Sequence, residues 1–226
     1  MTARPVKARR QPIAGSFFLP YQARWIKDRS RLKYLEKARQ IGMSWSSAYD
    51  LVRDKSQAAT RTDAWISSRD DLQARLFKED CNSFAGILHA ASRDLGEVVI
   101  DAKEKISAYV LEFANGTRIH SMSSNPDAQA GKRGDRVLDE FALHPDPRKL
   151  YSIAYPGITW GGSLSIISTH RGTANFFNEL RREIKERGNP KGFSHHRVTL
   201  QDALDDGFLA KLQGKLPVDD PRQDMD

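Results

Sequence analysis

Short apolar runs alternate with longer amphipathic stretches along this sequence. Runs with the two-residue period of a strand predict strands at residues 32–38, 63–68, 136–142, 163–170 and 193–200. Apolar positions at helical spacing predict helices at residues 19–30, 45–59, 69–93, 171–188 and 201–215. Because strands and helices alternate, we expect an α/β domain with a mainly parallel sheet flanked by helices.

One segment departs from this alternation. Two strand-like runs within residues 109–122 flank the dipeptide Asn115-Gly116, which is typical of a tight turn that requires positive φ angles. We therefore expect one antiparallel hairpin in the otherwise parallel sheet.

Helical and strand periods also predict which side chains face inward. In the long helix at 69–93, part of the apolar face is expected to come from Leu72, Leu76, Ile87 and Leu88. Cys81 is expected to be an inert residue of that helix. A core position, rather than a base-stacking role, is expected for Trp25, Trp45, Trp65 and Trp160.

Composition excludes several classes of protein. The single cysteine among 226 residues excludes an internal disulfide framework and a cysteine-rich zinc site. No apolar run approaches the ~20 residues of a membrane span, so we do not expect a membrane protein. The basic N-terminus is not followed by an apolar stretch, which argues against a secretory signal.

Positive charge is concentrated near the N-terminus. The net charge is +7, yet residues 1–40 hold eleven Lys and Arg against two acids, so the remainder is slightly acidic. This excess lies where the chain enters its first motif and suits contact with phosphate, either of a nucleotide or of DNA. For residues 1–15, a mobile basic tail is the simpler interpretation.

The strand–loop–helix at 32–58 contains a deviant phosphate loop. Aligned with G-x-x-x-x-G-K-[ST], residues 37–44 keep Gly42 and Ser44, but Met43 stands at the lysine position and Lys37 at the first glycine. A phosphate still needs a cation, which Lys37 or Arg39 can supply from the front of the loop. Ser44 can place its hydroxyl on Mg²⁺. A strand leading into an amphipathic helix is the purely structural alternative.

Two later strands end in polar side chains. Val137 and Leu138 precede Asp139 and Glu140, which suit Mg²⁺ binding and the orientation of an attacking water respectively. The apolar run from residue 165 ends in Ser168 and Thr169, as in motor ATPases whose strand tip senses the γ-phosphate. The alternative is a core strand followed by a helix that Thr173 caps.

These segments, in this order, resemble a known family. LPYQARWIKDRSRLKYLEKARQIGMSWSSA, GKRGDRVLDEFA and LSIISTHRG together resemble the ATPase half of viral large terminase subunits, most of all those of Mu-like prophages. The resemblance covers roughly residues 17–200. Its most specific element is Tyr21-Gln22 at a short distance before the R-Q-I-G-x-S-W loop.

The resemblance implies a P-loop NTPase of the RecA-like (ASCE) kind that uses ATP and Mg²⁺ to package DNA. It implies that Gln22 contacts adenine and that Thr169 lies in the coupling motif. It also implies a loop that binds phosphates through Lys37, Arg39, Gln40, Gly42, Met43 and Ser44, a metal site at Ser44 and Asp139, and a water-orienting Glu140. The implied partners are double-stranded DNA, the small terminase subunit, the portal protein and further copies in a ring, within the host cytoplasm.

Other charged residues have competing interpretations. Arg133, in a glycine-flanked loop, can serve as an arginine finger to a neighbouring subunit, or it is solvated loop charge. Arg171, directly after the strand at 163–170, is a second candidate for this arginine finger. His195 and His196 are adjacent in a strand and point to opposite faces, which favours structural roles. Two functions compete with the packaging motor: a helicase-like translocase lobe, and a non-catalytic module that binds nucleotide and recruits a partner.

Three segments are expected: a tail at 1–15, an ATPase domain at 16–213 and an acidic tail at 214–226. The nuclease that follows the ATPase in large terminases is expected to be absent, since few residues follow Thr169. The late acids are interpreted as solvated charge: Asp202, Asp205, Asp206, Asp219, Asp220, Asp224 and Asp226.

Overall fold

The structure, a computed structural model, describes residues 17–103 and 106–214. Its strands are β1 Leu32–Lys37, β2 Ala64–Ser67, β3 Ser92–Asp101, β4 Ile106–Phe113, β5 Arg118–Met122, β6 Asp135–Asp139, β7 Leu164–Ser168 and β8 Ser194–Val198. Its helices are α1 Pro20–Lys27, α2 Met43–Lys55, α3 Asp71–Ile87, α4 Pro147–Ala154, α5 Phe176–Glu186, α6 Leu200–Asp205 and α7 Phe208–Gln213. Short 3₁₀ turns cover Pro126–Gln129, Phe141–Leu143 and Tyr155–Ile158.

All eight described strands form one sheet in the order β3-β4-β5-β2-β6-β7-β1-β8. Neighbours from β5 to β8 are parallel, whereas β3–β4 and β4–β5 are antiparallel. The expected α/β fold is confirmed, and so is the hairpin, whose turn places Gly116 at φ +85°. Since β7 lies between β6 and β1, the last residues of these three strands meet at one edge, which we call the carboxyl edge.

Helices cover both faces of this sheet. Alternation along β1 separates the two cores, because Leu35 packs with residues of α1, α2 and α3 while Tyr34 packs with residues of α4 and α5. Lys55, fully buried at the end of α2, forms an ion pair with Asp135 at the start of β6. This pair fixes α2 across the edge opposite the carboxyl edge, which we call the amino edge.

The helix expected at 69–93 is wrong in its length and in its buried face. Asp70 caps α3 by accepting a hydrogen bond from the Gln73 amide, and the helix ends at Ile87 before strand β3 begins. Leu72, Leu76 and Ile87 are exposed. The buried stripe instead consists of Ala74, Phe77, Lys78, Cys81, Phe84 and Ala85. Smaller and aromatic side chains therefore face the sheet, because α3 packs closely over β4 and β5.

Other parts of the chain also differ from expectation. The sequence pattern predicted neither β3 nor α4, and the last predicted helix is two helices separated by Gly207 at φ +93°. Trp160 is 76% exposed, so its expected core position is wrong. Trp25 and Trp65 are buried and Trp45 is half-buried, while Cys81 is a buried helix residue as expected.

The outermost strand on the hairpin side, β3, is irregular. Its pairing with β4 shifts register between Asp94 and Gly96 and again between Val99 and Asp101. Leu95, Val98 and Ile100 rest on a small third cluster around Trp65, whereas Val99 is exposed. Most of the other β3 side chains are charged or exposed.

The predicted terminal tails, with Asp219, Asp220, Asp224 and Asp226, lie outside the described residues apart from Gly214. Solvated charge is the wrong interpretation for Asp206, which is buried and pairs with Arg24 of α1 at 2.8 Å. Asp202 completes a capping box with Thr199. None of the helices in the described ranges has the length and hydropathy needed to cross a bilayer.

Candidate active site at the carboxyl edge

The segment between β1 and α2 has the backbone of a tight anion-binding loop. Gln40 and Gly42 both have positive φ angles, +55° and +72°. Gly42 precedes the first turn of α2, and Met43 begins the helix. The amides at a helix N-terminus have no partner within the helix and favour a negative ligand there. The loop therefore ends at backbone donors that favour an anion, with Arg39 and Gln40 exposed on its outer side.

Helix α1 holds this loop through two consecutive carbonyl groups. The Tyr21 hydroxyl donates to the Ile41 carbonyl at 2.6 Å, and Gln22 Nε2 donates to the Gly42 carbonyl at 3.0 Å. The other end of the Gln22 amide, Oε1, accepts from the Leu19 amide at 3.0 Å. The structure thus brings Gln22 to the loop, with both ends of its side chain bonded to backbone. Contact between Gln22 and adenine stays a prediction.

Met43 occupies the usual lysine position for a structural reason. Its side chain is 2% exposed and packs in the core formed with α1 and α3. A lysine stands instead at the end of β1, where the Lys37 side chain is almost fully buried. The residue at the usual lysine position thus points into protein, while a buried cation lies at the other end of the loop.

Lys37 meets the two acidic residues at the end of β6 and directly after it. Its Nζ lies 2.6 Å from Glu140 Oε1, and its charge also acts on the buried Asp139. Because β7 separates β1 from β6, this ion pair spans the end of β7. Glu140 has φ +49°, which turns the chain away from the strand at this point, and its Oε2 is buried without a hydrogen-bond partner among the described residues. That oxygen is a free acceptor at the centre of the site.

Asp139 and Ser44 offer hard oxygen ligands. Burial raises the pKa of Asp139 to about 6, against the opposing effects of the Lys37 charge and a hydrogen bond from the Ser44 side chain. A divalent cation prefers such oxygen donors and favours the charged carboxylate. Magnesium is commonly held by one or two carboxylates together with substrate phosphates, so this donor set fits it.

Thr169 lies where expected, just beyond the end of β7. Ile167 is the register partner of both Asp139 and Leu35, and Thr169 follows it by two residues and is buried. Ser168 accepts a hydrogen bond from the Ala142 amide at 2.9 Å, which ties this strand end to the segment after Glu140.

Arg133 is not brought to this site within one chain. It precedes β6, and its carbonyl accepts a hydrogen bond from Trp65 Nε1 at 3.0 Å. Four residues of strand place the start of β6 about 13 Å from Asp139. The Arg133 guanidinium instead lies 5.9 Å from the ring of exposed Trp160, at the amino edge. Arg171, by contrast, is exposed close after the end of β7.

Sequence reasoning missed three residues that support the site. Tyr21 was noted as part of the most specific element of the resemblance, but its role in holding the loop was not predicted. Glu36 gave no signal because it lies within a strand, although its carboxylate is within hydrogen-bond distance of both His170 and His195. His144, whose pKa burial lowers, has Nε2 3.0 Å from the Asp139 carbonyl. His195 and His196 contact different carboxylates, Glu36 and Asp28, as the alternation of a strand requires.

Comparison with known families adds to this geometry. Residues 34–213 match the family described as terminase large subunit, T4likevirus-type, N-terminal. The chain is 34% identical over 210 residues to the probable terminase large subunit gp28 of Escherichia phage Mu, covering 89% of this chain and 38% of that protein. It is 33% identical over 201 residues to the Mu-like prophage FluMu protein gp28 of Haemophilus influenzae, covering 88% and 39%. The chain thus spans about two-fifths of the length of these relatives.

Solved structures show the same fold at lower sequence identity. The large terminase ATPase domain of Thermus phage P74-26 superposes with a TM-score of 0.58 at 18% identity, over 88% of each chain. The large terminase of another thermophilic bacteriophage, in complex with ADP, superposes with a TM-score of 0.62 at 14% identity, over 87% of this chain and 49% of that one. These likenesses confirm the architecture of the sheet and its helices.

The close approach of Gln22 to Gly42 yields a test of loop packing. A Cβ at Gly42 meets Gln22 Nε2 at 2.8 Å, whereas one at Gly188, also at positive φ, meets no atom within 4 Å. Gly188→Ala should lower the free energy of unfolding by about 1–2 kcal/mol through left-handed strain alone. Gly42→Ala should lower the free energy of unfolding by roughly 1 kcal/mol more than Gly188→Ala does. The reason is that the added Cβ displaces the hydrogen bond from Gln22 Nε2 to the Gly42 carbonyl.

Urea unfolding of both variants, each also in a Gln22→Ala background, measures this difference. The extra loss at Gly42 should disappear when Gln22 is absent. An undiminished loss in the double variant contradicts the role of this contact.

Proposed function

This chain belongs to the family of terminase large subunits, and from that premise we propose that it is an ATP-hydrolysing motor for viral DNA. In this proposal, Mg²⁺-dependent hydrolysis of ATP drives double-stranded DNA into a procapsid in the host cytoplasm. The small terminase subunit, the portal protein and further copies in a ring are its proposed partners. The observation that carries the proposal is the meeting of Lys37, Ser44, Asp139 and Glu140 at the carboxyl edge.

Each of these residues has a proposed task. Gly42 and the first turn of α2 bind the phosphates through backbone amides, and Ser44 with Asp139 holds the metal. The metal supplies charge neutralisation at the phosphates when bound. Glu140 Oε2, a buried acceptor without a partner in the described chain, orients the attacking water and takes its proton.

Lys37 is proposed to serve two groups at once. An ammonium has three donors, so Lys37 can keep its contact with Glu140 and still donate to a phosphate oxygen. Arg39 is exposed and makes no hydrogen bond or ion pair within the described residues. It is the proposed second cation on the outer side of the loop. The Lys37–Glu140 pair spans the end of β7. Thr169, just beyond that end, is the proposed sensor of the γ-phosphate.

Met43 at the lysine position is the observation that favours the non-catalytic module, and its buried side chain weakens that alternative. The late acids do not support a nuclease in the described chain. Asp205 accepts from Gln201, Asp206 pairs with Arg24 and Asp202 caps α6. We propose that this chain hydrolyses ATP and does not itself cut DNA.

Replacing Glu140 tests the proposal most directly. Glu140→Gln should keep ATP binding within about threefold and lower phosphate release at least about 10²-fold, because a general base is lost while the shape is kept. Phosphate release is measured with and without duplex DNA. Glu79→Gln, on the exposed surface of α3, serves as the control.

If Glu140→Gln releases phosphate at the wild-type rate, Glu140 has no part in the mechanism. Binding of ATP by the wild type without any release, with or without DNA, favours the non-catalytic module. Release that single-stranded DNA stimulates as strongly as duplex favours the helicase-like lobe.

The relocated cation gives a second prediction. Lys37→Ala should lower the rate of ATP hydrolysis about 10²-fold or more, since it removes the cation beside both acids of β6. Arg39→Ala should cause a smaller loss because its side chain lies outside the buried centre. Steady-state phosphate release and ATP affinity are compared for both single variants and the double variant. Activity retained by all three shows that the loop does not bind phosphate.

Arg133 is proposed to act on a neighbouring subunit. It lies at the amino edge, away from its own Asp139, so a head-to-tail ring can present it to the site of the next copy. An arginine of this kind contributes about 10³–10⁵ in rate in comparable enzymes. Mixing inactive Arg133→Ala with inactive Glu140→Gln should therefore restore part of the activity, and the specific activity of the wild type should rise with protein concentration.

Arg61→Ala, which alters another exposed arginine close to the start of β2, should retain full activity in the same assay. A rate per chain that is high and unchanged across a hundredfold dilution of a proven monomer contradicts the trans-acting arginine.

A further inference from the structure

The last two residues of β1 hold the segments that follow two other strands. Lys37 contacts Glu140, which follows β6, on the face of the sheet covered by α2. Glu36 contacts His170, two residues after the end of β7, on the opposite face covered by α5. Tyr34, two residues before Glu36, packs against Phe177 of α5 and confirms which face this is.

Glu36 is a buried carboxylate surrounded by positive or polar donors. It is 4% exposed and lies 2.7 Å from His170 Nε2, 2.5 Å from His195 Nε2, 3.2 Å from Arg181 Nε and 3.7 Å from Lys185 Nζ. Burial by itself would raise the pKa of Glu36, but the hydrogen bonds from both histidines and the charge of Lys185 hold it at about 2. The carboxylate is therefore ionised and available to every one of these donors.

His170 is the anchor of the segment after β7. Residues 171–174 are exposed, and Gly172 adopts φ +80°. Before them, Ser168 is bonded to the Ala142 amide and His170 is bonded to Glu36. Thr169 lies between these two attachments, one residue beyond the β7 position that pairs with Glu36. Besides Glu36, His170 meets the ring of Phe177 of α5 edge-on at 5.4 Å, and the next attachment along the chain is Thr173, whose carbonyl accepts from Asn178 and Arg182 of α5.

We propose that His170 is a positioning residue, which through its contact with Glu36 holds Thr169 in place at the carboxyl edge. The part that Thr169 plays in hydrolysis rests on the function proposed above. The position of the segment does not rest on it, because the contact between Glu36 and His170 is made within the protein itself.

The matched control is His195, which contacts the same carboxylate from β8 rather than from the end of β7. If His170 positions Thr169, His170→Ala should lower kcat about tenfold while the ATP dissociation constant changes less than about threefold. His170→Gln, which keeps a donor of similar reach, should recover most of the rate. His195→Ala, which leaves the end of β7 attached, should stay within about twofold of the wild type.

Hydrogen exchange at residues 169–174 measures the same attachment without turnover. Exchange there should be faster in His170→Ala than in the wild type and in His195→Ala, while α2 and α3 exchange as before. Failure of the wild type to hydrolyse ATP refutes the proposed function, and the exchange pattern then still decides the attachment.

Unchanged exchange in His170→Ala overturns the proposal whatever the kinetic result. Equal losses of kcat in His170→Ala and His195→Ala also overturn it, because they show a general role of the Glu36 cluster in the fold.

Discussion

The ion pair between Lys37 and Glu140 is the interaction on which the arrangement of this site depends. It joins the ends of β1 and β6, which are not neighbours in the sheet, and so crosses the end of β7. A buried ion pair is weak evidence for stability, because desolvation opposes the attraction of the charges. Its value here is geometric, since it fixes the distance between the loop before α2 and the acids after β6.

The loop before α2 shows why a motif is better understood from its surroundings than from its residue pattern alone. Met43 departs from the standard pattern because that position faces the core, and Lys37 places a buried cation at the end of the preceding strand. Tyr21 and Gln22 complete the arrangement by holding consecutive loop carbonyls. A loop without its usual lysine thus has a buried cation, a rigid backbone and a serine at the start of the helix.

Much of the fold could be predicted because periodic patterns are local. The parallel strands and the turn at Asn115-Gly116 follow from runs of a few residues. The helix at 69–93 was wrong because large exposed leucines formed one stripe of α3 while the buried stripe was made of smaller and aromatic side chains. In the site, Asp139 and Ser44 were visible as motif residues. Glu36 was not, because its significance depends on the register of β1 between β7 and β8.

The irregular strand β3 has a consequence for contacts between copies of this chain. A straight, apolar edge strand exposes unpaired backbone groups on which a strand of another molecule can continue the sheet. The two register shifts of β3 and its charged side chains interrupt that template along its length. Two copies of this chain that meet on this side are therefore protected from joining into one continuous sheet.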